Sequence, residues 1–130
     1  MASGENARRF GSVLVLVVAL VTGCGGGSSG TGIPASTKVS VLTDAQQKTL
    51  CDYVNGKRGG YEKTIMCPDN STFQTDPTQD DCVLILKGAA GCMDLTVGDI
   101  EGCANGPMGN ACTFATAPEC KNVYNCFNAA

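Results

Sequence analysis

The stretch Thr116-Ala117-Pro118-Glu119-Cys120-Lys121-Asn122-Val123-Tyr124-Asn125-Cys126-Phe127 decides the fold. Thr116 with Pro118 and Glu119 starts a helix, because proline's fixed φ suits a first turn and an acid there meets the positive end of the helix dipole. Cys120, Val123, Tyr124 and Phe127 then fall at i, i+3, i+4 and i+7, the clearest amphipathic stripe in the chain. In continuous helix, Cys120 and Cys126 have Cα atoms about 9 Å apart along the axis and roughly 120° apart around it. A disulfide needs Cα atoms within about 7 Å and converging Cβ vectors. These two should therefore not bridge each other, and Cys120, on the apolar face, should reach Cys103 or Cys51.

The other cysteines extend the argument. Eight of the nine, Cys51, Cys67, Cys82, Cys92, Cys103, Cys112, Cys120 and Cys126, fall in the C-terminal part of the 130-residue chain. An even set in an exported protein means disulfides, here four, with every other pairing left open by the count. The need is physical. A domain this small, with four Phe, three Tyr and no Trp in the chain, buries little apolar surface and gains its stability from staples. Redox or metal-binding thiols are the alternative, and the absence of any C-x-x-C opposes it.

Upstream, Thr43-Asp44-Ala45-Gln46 is a capping box that starts a helix carrying Leu50, Cys51 and Val54 on one face, with Asn55-Gly56 as its stop. Tyr61 to Cys67 and Ser71 to Thr75 flank Pro68-Asp69-Asn70 as a small hairpin. Asp76-Pro77-Thr78-Gln79 opens a second helix, with Asp76 as cap, Pro77 at N1 and Lys87-Gly88 at its end. Thr96-Val97-Gly98-Asp99 caps a third, with Ile100 and Cys103 inward, ended by Gly106-Pro107. The fold class that follows is mainly α: a small disulfide-rich bundle of about four short helices with a small β-hairpin. Cys51, Cys82, Cys103 and Cys120 lie on helices, and Cys67, Cys92 and Cys112 in connections.

The N-terminal segment reads as an address. Arg8 and Arg9 precede an apolar run, Val13 to Val21, too short to span a bilayer, so residues 1–23 read as a cleaved signal peptide. Residues 24–38 read as Cys24 followed by a Gly/Ser-rich tether that spans on the order of 20 Å. The disulfide-stapled domain then occupies residues 39–130. Removing residues 1–23 leaves 7 Lys+Arg against 11 Asp+Glu, a charge of −4.

Composition excludes several chemistries. With no histidine there is no Ser-His-Asp or Cys-His nucleophile system and no imidazole ligand. The acidic balance and the lack of clustered Lys and Arg exclude a nucleic-acid footprint. Asp69, Asp76, Asp80 and Asp81 form the densest acidic stretch, but their spacing is not that of a calcium loop, and two are explained by a helix N-terminus. Gly88 to Gly91 and Gly106 to Gly109 read as connectors, not phosphate cradles. Core duty is expected to take up most of Tyr53, Tyr61, Tyr124, Phe73, Phe114 and Phe127. No catalytic residue, cofactor or metal ligand is nominated.

Val21-Thr22-Gly23-Cys24 resembles a bacterial lipobox, which implies cleavage before a diacylglyceryl-modified Cys24. Gly25, where an Asp would imply inner-membrane retention, implies the outer membrane or cell surface. An ordinary secretory signal is the alternative and leaves Cys24 a free thiol. With Thr43 to Cys51 (T-D-A-x-x-x-x-L-C), Gly59-Gly60-Tyr61 and Thr96 to Cys103 (T-V-G-D-x-E-x-C), the chain resembles small cysteine-rich lipoproteins of myxobacteria, a resemblance that implies location and no activity. It also resembles the plant lipid-transfer proteins in cysteine number and helix count, without their adjacent Cys-Cys and their Cys-x-Cys. The expected function is a non-enzymatic, lipid-anchored binding or envelope-contact module whose partners are the membrane and an unidentified protein. Two alternatives stand beside it, a carrier of a small apolar ligand or lipid and a protease-inhibitor-like module.

Overall fold

Short helices begin where local cap chemistry dictates. In this computed structural model, which describes residues 30–129, α1 (Asp44–Lys57) starts at the expected capping box. The Thr43 hydroxyl accepts the Gln46 N–H at 3.2 Å, and Gln46 Oε1 accepts the Thr43 N–H at 3.0 Å. The helix runs past the expected stop at Asn55-Gly56. Asn55 is fully buried and donates its side-chain amide to the Cys51 carbonyl one turn back, which holds it in the helix. Gly59 and Gly60 supply the left-handed backbone of the stop, and the Gly60 N–H returns to the Asn55 carbonyl at 2.8 Å.

The hairpin pairs β1 (Thr64–Met66) with β2 (Thr72–Gln74), Ile65 opposite Phe73. Then follows α2 (Gln79–Gly88), capped by Thr78, whose hydroxyl accepts the Asp81 N–H, and not by Asp76 as expected. Asp76 is engaged elsewhere: its carboxylate accepts the Asn55 side-chain amide at 2.9 Å. In α3 (Val97–Ala104), Thr96 and Asp99 form the expected reciprocal box. Pro118–Cys120 makes a 3-10 turn that feeds α4 (Lys121–Asn128), so Cys120 caps the last helix instead of lying inside it.

Four disulfides join these elements: Cys51–Cys82, Cys67–Cys112, Cys92–Cys126 and Cys103–Cys120. Cys120 thus pairs with Cys103, one of the two partners expected for it, and not with Cys126. The bridges tie α1 to α2, the hairpin to the loop before α4, the loop after α2 to α4, and α3 to the start of α4. With 17 to 45 residues between partners, each contributes about 3–4 kcal/mol in the chain-entropy account.

The core is aliphatic and cystine-rich, built around Leu50, Val39, Val97, Cys51 and Cys120. None of the six aromatics assigned to core duty is fully buried: five are half-buried and Phe127 is exposed. Leu, Val and cystine fill a space between short helices that a large flat ring does not, so the rings lie around the core.

The folded part also begins upstream of Val39. Ile33 is in the core, the Val97 N–H bonds the Thr37 carbonyl, and the Gly98 N–H bonds the Ala35 carbonyl at 2.8 Å. Residues 31–38 are therefore laid against the start of α3. Their Gly/Ser/Thr-rich composition concealed this, because backbone hydrogen bonds leave no mark on composition. The expected signal peptide, residues 1–23, and Cys24 lie outside the described residues. Among the described residues no helix is long and apolar enough to cross a membrane.

Candidate functional site

The apolar face of α1 does not end in the core. Leu50, Cys51 and Val54 climb one side of the helix, and Arg58, one turn beyond Val54, continues the line. Opposite them stand Ile85 and Leu86 of α2, Ile100 of α3, Phe114, and Val123 and Phe127 of α4. Between these walls lies a groove of about 200 Å³, lined almost wholly by apolar side chains. Ile85 and Phe127, 49 % and 37 % exposed, mark its mouth. The Cys51–Cys82 bridge joins two of its walls, α1 and α2, and Cys103 of the Cys103–Cys120 bridge lies in a third.

One end of the groove is polar, formed by Arg58 and Asp76 beside Phe73. The Arg58 guanidinium carbon lies 4.9 Å from the centroid of the Phe73 ring, and Nε donates to the Gly109 carbonyl at 3.3 Å. A Cβ at Gly109 would stand 2.7 Å from Arg58 Cγ, and the residue has φ +62, so only glycine forms this seat without strain. Its neighbours Met108 and Asn110 also carry positive φ, a costly run of three. Asn110 holds it in place: its side chain donates to the Cys103 carbonyl and to Glu119, and accepts from the Thr113 hydroxyl. Burial lowers the Arg58 pKa, and the charge of Asp76 raises it by less.

Behind this end, the Tyr61 hydroxyl and the Gln79 amide both donate to Asp52, at 2.7 and 2.8 Å. Burial, followed by that bond and by the charges of Asp52 and Asp76, pushes the Tyr61 phenol well above its ordinary range. It stays protonated at neutral pH and acts as a strut between α1 and the segment leading to the hairpin.

The structure disperses the acidic stretch. Asp69 accepts from Ser71 in its own turn, Asp81 accepts the Thr78 hydroxyl, and Asp76 accepts from Asn55. Among the described residues no group of three or more His, Cys, Asp or Glu side chains is placed to hold a metal ion. The eight nominated cysteines are all engaged as the four bridges. Sequence reasoning missed Arg58 and Phe73 as site residues. One signal was present: Arg58 is the only arginine after residue 9, in a chain that otherwise uses lysine there. Comparison with protein-family models, with curated proteins and with solved structures finds no match to this chain.

Proposed function

We propose that this chain is an exported, membrane-anchored binding module without catalytic activity, and that its apolar groove holds a small apolar ligand. The observation that carries the ligand reading is the groove itself. In a domain with so few large side chains, Phe114, Phe127 and Ile85 border an unfilled cleft instead of closing over the core. Burying those faces under a ligand would gain about 25 cal/mol for each Å² removed from water. Walls joined by a disulfide need little ordering when a ligand enters, and that lowers the entropic cost of binding. The lipobox at Cys24 and the signal peptide support the envelope location, and four disulfides fit an oxidising compartment. Native mass spectrometry of the protein isolated from its own envelope tests the reading. The expected result is a retained small-molecule mass that organic extraction removes. A bare chain under gentle ionisation, unchanged when small apolar compounds are added, would contradict it.

A further inference from the structure

We propose that Arg58 makes the groove selective for a small carboxylate amphiphile, its anionic head on the guanidinium and its apolar body between Val54, Phe114 and Phe127. This rests on the reading of the groove as a ligand site. Three observations carry it.

First, Arg58 is the only cation among the described residues of the lining, and its seat is built rather than incidental. Phe73 supports one face, the Gly109 carbonyl takes Nε, and the strained loop Met108-Gly109-Asn110 is held so that the arginine stem can pass. Second, the two Nη groups meet no acceptor among the described residues. A guanidinium with Nε engaged still presents both Nη groups on its outer edge, which matches the two oxygens of a carboxylate.

Third, the one acid in the lining does not answer this cation. Asp76 Oδ2 accepts the Asn55 side-chain amide, and no ion pair joins Asp76 to Arg58. Its charge acts on Arg58 only at a distance, and burial outweighs it. The site therefore keeps a partly desolvated positive charge at the end of an apolar cleft, and an anion that carries its own apolar body satisfies both. The volume limits the body. A cavity of 150 Å³ holds one benzene ring, so about 200 Å³ accepts a ring or a chain of about six to eight carbons, not a long acyl chain.

The experiment is calorimetric titration of the oxidised mature protein at pH 7 with sodium octanoate, 1-octanol and octylamine, each below its aggregation threshold. Octanoate is expected to bind roughly tenfold more tightly than octanol, the gain of one charge-assisted contact. In Arg58→Gln the ratio of octanoate to octanol affinity should fall to about one. In the unaltered protein, octanoate should lose its advantage as pH falls through the carboxylate range of about 4–5, and octanol should not change. This last arm needs no variant to fold. Equal binding of octanoate and octanol would overturn the role of Arg58 and leave the groove reading standing. Tighter binding of octylamine would overturn it in favour of Asp76. No binding of any of the three would overturn both readings.

Discussion

Thr31 donates its backbone N–H, at 3.2 Å, and its hydroxyl to the same carboxylate oxygen of Glu101, a residue 2 % exposed and 70 positions away. This clasp fixes the segment before Val39 to α3. Thr31→Val keeps the shape and removes one part-buried hydrogen bond, so it should lower unfolding stability by about 1–2 kcal/mol. Urea denaturation measures it. No change in the midpoint would mean that residues 31–38 are not part of the cooperative unit.

Two glycines of α3 should respond oppositely to alanine. A Cβ on Gly98 would stand 3.0 Å from the Ala35 carbonyl oxygen, which the Gly98 N–H holds at 2.8 Å, so this backbone has little room to move. A Cβ on Gly102 meets nothing within 4 Å. Gly102→Ala should stabilise by about 0.5–1 kcal/mol through helix propensity. Gly98→Ala should destabilise despite the same propensity gain. Thermal melts of the two variants would settle the pair, and stabilisation by both would refute the close packing of Ala35 on α3.

Asp99 sets an acid limit on the fold. Burial pushes its pKa up, but hydrogen bonds from the Asn122 amide at 2.8 Å and from the Thr96 N–H and hydroxyl, with the charge of Lys38, hold it below the ordinary aspartate value. A pKa depressed by folding contributes stability that is present above the unfolded value, about 3.9, and lost as pH falls through the folded one. Stability should therefore decline below about pH 4, and Asp99→Asn should flatten that decline. Denaturation midpoints between pH 2 and 6 would show it. An unchanged acid slope in the variant would exclude Asp99 as its source.

The bridges should open in order of access. Cys103 and Cys120 are buried, and so are Cys51 and Cys82, whereas Cys112 is exposed and Cys92 and Cys126 are half-buried. Thiol attack requires access to a sulfur, so limited reduction should open Cys92–Cys126 and Cys67–Cys112 first. Alkylation and peptide mapping at low reductant reads the order. Early release of Cys103–Cys120 would contradict the buried wall of the groove.

What the sequence disclosed was local. Thr43 and Thr96 announce their helices because a cap hydroxyl and its N3 partner lie within one turn. That Cys120 does not pair with Cys126 follows in the sequence from a continuous helix, and the outcome holds although Cys120 sits at the N-cap of α4. The pairing of Arg58 with Gly109 joins residues 51 apart through a loop whose three left-handed positions include Met108, a residue with no tendency to that conformation. No local rule reaches that far. The cap of α2 moved to Thr78 for a related reason, since Asp76 was drawn away by Asn55 from another helix. The ring of half-buried aromatics was equally out of reach, because composition counts large side chains without saying whether helices this short can close over them.

The central claim is that the cleft between α1, α2 and α4 is a binding site, and the most direct measurement is a two-dimensional amide NMR titration of the oxidised protein with 1-octanol. Saturable shifts confined to the amides of Val54, Ile85, Phe114 and Phe127, with those of the first hairpin strand, Thr64 to Met66, little moved, are the expected result. Shifts that never saturate, or that are as large at the exposed Met66 and Met93 as at Phe127, would show that the groove binds nothing specific.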